Sequence, residues 1–552
     1  LMRPPGEPAR FQTARRYDFD WLRVLTTALV ICFHAAIVFS ASSYYIKDDP
    51  LYAYTRRFDR LYAEGQQSLP PLLAPRRFEA LALRAGYSPD LRDTLAPIAS
   101  RDRLIVRRAE LGSGFSYFDA VYEAFWGLGQ LATEARLPLR IVAPPHLARP
   151  LQIRAQVESE SLDAYLRSPG RPALVLVDWA SIGSRVQAGQ LLERIETSAD
   201  RFVLVGMPRP QPAATGLVLF LDQWFMMLFF LISGAGTWYA LGSRTAAQYV
   251  GERFQRLLVP FAFGCLVVVP PLVYFGLLKG PGYQDDYWHF YWRFLGGEHF
   301  QWAHLWFVVY LFVYSLIALP LFIAARSKTT GGWERLSAIL VRPGAIFLPA
   351  LPLALIEGSL RAGWPNGNQN LVNDWANFCL YLLYFVYGYF LASDARLTEA
   401  VGRYRGVAAA LGGAGLCWLF ALWLSGNTPS YVYSPGRIAY DAFRGFNSWC
   451  CVVAVLGFAN RYLNFSNPFL RYTGEAAYPV YILHQTILVV AGFYILRWDT
   501  GALEKFLVIA AVAVLGALCL YDLLVKRSNT ARFLFGLKRK FNSLPSPNPP
   551  NR

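Results

Sequence analysis

Runs of apolar residues long enough to cross a bilayer recur along this chain, from LRVLTTALVICFHAAIVF near the N-terminus to FLVIAAVAVLGALCLYDLLV near the C-terminus. A segment of about 20 such residues spans the hydrocarbon core as a helix. Lipid offers no partner to backbone N–H and C=O groups, so only structures that satisfy them internally survive there. Ten spans are expected, near 20–41, 216–241, 258–278, 304–325, 344–360, 375–393, 406–425, 445–459, 477–496 and 503–525. The fold class that follows is an all-α polytopic membrane protein. An even number of spans places both termini on one side. Lys and Arg gather in the tails and short loops of that side (Arg15, Arg16, Arg253, Arg256, Lys538, Lys540), so both termini are expected in the cytoplasm. This asymmetry accounts for most of the formal net charge of +16, and nucleic acid is not an expected partner. The first run follows a charged tail and lacks a small-residue cleavage pattern, so it reads as a span and not as a removable signal.

One stretch breaks the pattern. Residues 51–213 contain no lysine, no cysteine and no run that can span. LPLRIVAPP, PALVLVDWA and RFVLVGMP read as strands, SESLDAYLR and SRVQAGQLLERIETSA as helices, and FSYFDAVYEAFWGLGQLA as an amphipathic helix. Such alternation predicts an inserted α/β domain with a parallel sheet between about 100 and 208, on the side away from the termini. The segment 51–99 reads as helical or irregular. The expected organisation is therefore 1–50 as tail and first span, 51–213 as the insert, 214–526 as the other nine spans and 527–552 as a C-terminal tail whose end is disordered. Asp178, closing the strand VLVDW, reads as the cap of a strand-to-helix turn. The seven cysteines all fall in spans and form no CxxC pair, so neither a metal site nor a disulfide framework is expected. No permanently bound cofactor is expected either.

Chemistry concentrates on ionisable groups inside the spans, which are costly there and mark function by default. Arg23 and His34 share one face of the first span, about 16 Å apart along the helix axis. An arginine at one membrane face and a histidine deep towards the other suit a site that grips an anionic carrier and does proton chemistry further in. Asp222, in the second span, falls at a depth similar to that of His34, where it would orient the imidazole as the carboxylate of a general-base dyad or else form a plain structural ion pair. Arg244, Arg253 and Arg256 follow at the cytoplasmic surface, with Arg253 and Arg256 three residues apart on one helix face. The guanidinium fork suits phosphate, so these arginines and Arg23 are the expected grip on a phosphorylated donor. His289 and His299 lie in an aromatic loop, His304 opens a span, His484 lies in AAYPVYILHQTILVV, and His146 reads as incidental.

The segments RRYDFDWLRVLTTALVICFHA, LFFLISG, YVGERFQRLLVPF, HLWFVVYLF, NLVNDWANF and YPVYILHQT resemble the membrane acyltransferase type 3 family, and in particular its glucan-succinylating subgroup. The resemblance covers about 15–41 and 216–540. It implies a ten-span enzyme of the bacterial inner membrane that moves an acyl group, of acetyl or succinyl type, from cytoplasmic acyl-CoA to a hydroxyl of an extracytoplasmic carbohydrate. It further implies that His34 is the essential histidine, as base or as acyl carrier, and that Arg23 belongs with it. The matching segments supply His304, Trp306, Asn373 and Asp374 as candidate acceptor-side residues. The insert at 51–213 departs from the short first outer loop of the family. The rival reading is a transporter or flippase of a saccharide or small anion with His34 and Asp222 as its proton relay. Transporters of that kind often carry internal repeats, and none is visible here.

Overall fold

The computed structural model describes residues 16–40, 71–84, 103–108, 127–143, 159–168, 172–206, 211–278, 285–326, 332–364, 369–425, 427–429 and 433–539, with isolated positions at 47, 49, 50, 57, 60, 61 and 283. The chain is a mostly helical, multi-pass membrane protein. Among the described residues, eight helices are long and apolar enough to cross a membrane, or up to ten if each of two bent pairs counts as one span. They are α1 (Tyr17–Ile37), the pair α5 (Pro212–Asp222) and α6 (Phe225–Leu241), α7 (Ala246–Leu277), α13 (Trp375–Ser393), α14 (Ala395–Leu424), α15 (Pro435–Tyr462), α16 (Pro468–Ile495) and α17 (Ala502–Val525). Helix α9 (Trp306–Ile317) bends by 44° into α10 (Leu319–Arg326), and α11 (Gly332–Leu340) turns by 114° into the segment holding α12 (Ala350–Leu360). Gly344, with φ of +75°, sits in that second corner, a conformation glycine adopts without a Cβ penalty. Short helices α8 (Tyr287–Leu295) and α18 (Asn529–Leu534) complete the bundle.

Hydropathy places the spans, but caps set their ends. Helix α7 begins at Ala246, well before the apolar run at 258, because Thr245 and Gln248 form a reciprocal capping box. Helices α14, α15 and α16 likewise start early behind Asp394, Ser434 and Asn467, each accepting a backbone N–H. Helix α1 starts at Tyr17 and stops at Ile37, short of the expected residue 41. Two π-helical turns, Phe254–Leu258 and Gly264–Val268, widen α7. Carbonyls of the second accept hydrogen bonds from outside the helix, Leu266 O from the Tyr291 hydroxyl at 3.1 Å and Val268 O from the Thr486 hydroxyl at 2.7 Å. Outward faces carry exposed leucines such as Leu355, Leu424 and Leu515, which lipid solvates without cost.

Between α1 and α5 the chain forms a five-stranded, all-parallel sheet of order β1-β5-β4-β2-β3. The strands are β1 (Leu104–Arg108), β2 (Leu139–Val142), β3 (Ser159–Glu160), β4 (Leu174–Asp178) and β5 (Arg201–Gly206). The two-residue period of a strand sends Leu174 and Leu176 into one apolar cluster and Val175 and Val177 into another. The first cluster is closed by α2 (Pro75–Arg84) and the helical stretch 127–134, the second by α3 (Leu162–Arg167) and α4 (Arg185–Thr197). The start of SESLDAYLR is the short strand β3 and not helix, and β1 joins at the edge beside β5. Asp178 caps the next turn, its Oδ1 accepting from Ala180 N at 2.9 Å. The residues expected to form the first part of the amphipathic helix at 115–132, most of 51–99, and the outermost tails lie outside the described residues.

The sheet sits over one end of the bundle. Gln211 N donates to Phe39 O at 2.7 Å, Lys47 Nζ reaches Ser40 O at 2.6 Å, and Arg185 pairs with Asp499 at 3.4 Å and donates to Arg497 O at 2.7 Å. This is called the sheet end below. The opposite end, where α1 begins and α17 finishes, is the tail end.

Candidate active site

Helices α1 and α16 run side by side in the same direction. Near the tail end Arg23 Nη2 donates to Gly474 O at 3.1 Å. Eleven residues further along α1, His34 Nδ1 lies 2.9 Å from His484 Nε2. Parallel helices with the same rise keep such pairs in step, so this contact between residues far apart in sequence follows from the packing.

The two imidazoles stack with ring centroids 5.1 Å apart, and His304 closes on His484 edge-on at 5.2 Å. His484 is fully buried and its Nδ1 lies 2.6 Å from Tyr481 O. His304, also buried, has Nε2 2.8 Å from Ile482 O and its backbone N–H on Gln485 Oε1 at 3.2 Å. The Nδ1 of His304 is buried with no hydrogen-bond partner among the described residues. Pro479 lies within α16 just before this stretch and leaves one helical hydrogen bond unmade.

A cleft of about 720 Å³ leads from the tail end towards these rings. All four expected donor-binding arginines line it: Arg23, Arg244, Arg253 and Arg256. Arg532 and Lys538, from the C-terminal segment, join the same rim. Glu252 holds Arg244 (2.5 Å) and Arg256 (3.0 Å) in place, and Glu475 holds Arg532 (2.6 Å). Arg253 packs its guanidinium 4.7 Å from the Tyr249 ring and keeps a buried Nε without a hydrogen-bond partner among the described residues. Deeper in, the walls are Ile232, Phe307, Leu311 and Tyr481. Tyr481 is the junction: its ring lies 5.8 Å from that of His484, and its hydroxyl donates to His304 O. The cleft is thus cationic at its mouth, apolar along its length and bounded by Tyr481, with the histidines packed behind that ring.

The remaining site candidates fall elsewhere. Asp222 is half-exposed and faces Arg444 at 3.9 Å, so the partner shown on His34 Nδ1 is His484 and not this carboxylate. Similar depth suggests that the two meet, but depth along an axis does not fix rotation about it, and here they face different partners. Trp306 is buried against Tyr381, with ring centroids 5.8 Å apart. Asp374 is fully buried and accepts from the Tyr310 hydroxyl at 2.8 Å and from Asn377 Nδ2 at 3.0 Å. Its neighbour Asn373 is exposed.

Asp374 belongs to a buried polar chain absent from the sequence-based expectations. Arg361 pairs with Glu357 and donates to Asn377 Oδ1 at 2.8 Å, while Arg437 pairs with Asp441 at 2.5 Å one turn along α15. The spacings E-x3-R and R-x3-D were readable as one-turn ion pairs inside spans. Among the described residues no group of three or more His, Cys, Asp or Glu is arranged to hold a metal ion.

Residues 195–522, more than half of the chain, match the family model of the type 3 acyltransferase domain. The chain therefore belongs to this family of membrane acyltransferases. The match starts within α4 and takes in α5 to α16, leaving α1 beyond it. No curated protein and no solved structure matches the chain.

Proposed function

We propose that the protein transfers an acyl group from acyl-CoA, entering at the tail end, to a hydroxyl of a carbohydrate arriving at the sheet end. The observation that carries this reading is a cleft with a rim of six cationic side chains that reaches Tyr481, whose ring lies against those of His304 and His484. Phosphates of CoA meet Arg23, Arg244, Arg253, Arg256, Arg532 and Lys538, for which multi-donor guanidinium forks are suited. The phosphopantetheine arm follows the apolar walls past Phe307 to Tyr481. There His34 takes the proton of the attacking hydroxyl, the new C–O bond forms as the C–S bond breaks, and the proton passes to the departing thiolate. The Nδ1 of His304, without a hydrogen-bond partner among the described residues, offers an acceptor to a donor group of the incoming sugar. Asp374 and Trp306 then act through packing behind this wall, and Asn373 meets the sugar from its exposed position.

In this reading both termini are cytoplasmic in a bacterial inner membrane, and residues 51–213 form a separately folding periplasmic α/β domain that presents or selects the acceptor. The donor group is of acetyl or succinyl type, as in glucans biosynthesis protein C, whose subgroup the membrane segments resemble. The transporter alternative rested on a relay between His34 and Asp222. Each faces a different partner, which favours the enzyme.

The deciding experiment is mass spectrometry of periplasmic and surface glycans from cells with and without the protein. An added acyl mass that vanishes on deletion is expected, and identical glycan profiles would refute the proposal. Two further outcomes are specific. Arg23→Ala, Arg253→Ala and Arg256→Ala each raise KM for acyl-CoA by about 10- to 100-fold, the worth of one hydrogen bond to a charged group, with little change in kcat. Initial-rate kinetics against acyl-CoA concentration measure this, and three unchanged KM values would leave the arginines as topology signals only. A cysteine introduced at the exposed Ser168, in a background without native cysteines, reacts with a membrane-impermeant thiol reagent in intact spheroplasts. Labelling that needs lysis would reverse the orientation.

A further inference from the structure

We infer that His484 is a positioning residue that holds His34 in its Nδ1–H tautomer and thereby makes Nε2 the reacting atom of His34. The inference rests on the acyl-transfer reading above. It follows from a chain of three polar groups, joined by two contacts, whose first member has no choice of role. A backbone carbonyl only accepts, so Tyr481 O, 2.6 Å from His484 Nδ1, requires that this nitrogen carry a hydrogen. A neutral imidazole has one N–H, so His484 Nε2 then bears a lone pair. His34 Nδ1, 2.9 Å from that lone pair, must be the donor. The hydrogen bond made by one ring nitrogen sets the state of the other, and the lone pair of His34 is left on Nε2.

The arrangement gives His484 the part that a carboxylate takes in other histidine bases, without placing a negative charge in the membrane. When His34 Nε2 accepts the proton of the acceptor hydroxyl, the resulting imidazolium still donates through Nδ1 to His484 Nε2, so the positive charge is shared by two stacked rings. The proton on Nε2 then leaves with the thiolate, and both rings return to their starting states. Neither ring changes oxidation state or keeps a proton. His304 shows the opposite polarity: its Nε2 faces Ile482 O at 2.8 Å and is the N–H donor, which leaves its lone pair on Nδ1. The two bases of the cluster thus carry their lone pairs on different ring atoms.

The test is ¹⁵N spectroscopy of histidine-labelled protein in lipid nanodiscs, with His34 assigned by difference against His34→Ala. A protonated Nδ1 and a bare Nε2 are expected for His34 in the unmodified protein. In His484→Phe, which keeps a ring but offers no acceptor, His34 is expected to shift towards the Nε2–H form. Turnover is expected to fall about 10- to 100-fold, the loss seen when the partner that orients a metal-bound histidine is removed, with KM for acyl-CoA unchanged. His484→Gln, whose amide oxygen can accept from Nδ1–H, should restore most of kcat. An Nε2–H His34 in the unmodified protein overturns the inference whatever the activity, as does undiminished turnover in His484→Phe. Full activity in His34→Ala would instead overturn the acyl-transfer reading, and this inference with it.

Discussion

His34→Ala is expected to lower kcat for acyl transfer at least about 1000-fold, within the range that a positioned acid–base group supplies. The protein should still insert and fold. His34 is only partly buried, and its ring packs on Phe33 and on His484. The variant leaves the arginine rim untouched, so acyl-CoA should bind as before. Equilibrium binding of a non-transferable acyl-CoA analogue, beside a single-turnover assay, separates these two effects. Retained turnover would remove His34 from the chemistry, and lost binding would mean that the substitution disturbs the whole cleft.

The second large effect is structural. Gly234→Val or Gly388→Val is expected to destabilise the bundle by more than about 4 kcal/mol, a size reserved for severe mechanisms such as steric overlap with a packed backbone. A Cβ on Gly234 would run into the carbonyl oxygen of Phe385, and one on Gly388 into that of Leu231. The two contacts are reciprocal, so α6 and α13 touch backbone to backbone, as small residues allow in membranes. Helix α6 also forms a wall of the cleft, and separating it from α13 would move Ile232 and Ser233. Gly406→Ala and Gly413→Ala are the matching controls, since an added Cβ there meets nothing within 4 Å. Fluorescence-detected size exclusion during thermal challenge should show loss of the monodisperse peak for the first pair and an unchanged midpoint for the second. Equal behaviour of all four would show that the α6–α13 contact is looser than described.

How much of this was readable from the sequence depends on the range of the physics involved. The spans were, because the bilayer forces apolar residues to be contiguous. Their ends were less so, because Thr245, Asp394, Ser434 and Asn467 set them from polar flanks that hydropathy ignores. The strands from LPLRIVAPP to RFVLVGMP stood out as apolar runs between helices, whereas β1, ending in two arginines, did not. The arginines of the cleft were found by their chemistry and their side of the membrane. Arg532 and Lys538 were passed over because a basic tail after a last span is ordinary anchoring. His484 stood out as a histidine in a span, within YPVYILHQT, but its partner did not, since His34 is brought to it only by the parallel packing of α1 and α16.

The hydrogen bond from Gln211 to Phe39 has a consequence for how such a chain can be rearranged. The polypeptide leaves the bundle beside Phe39 and re-enters it at the neighbouring residue in space, so everything between is a detour with coincident ends. The bundle places no demand on the length of that detour, and loop-closure entropy rises only slowly with length. A short turn would serve α1 and α5 as well. Replacing the sheet and its helices by a short turn is therefore expected to cost the contacts of Arg185 with Arg497 and Asp499 and to leave the alignment of His34 with His484 in place.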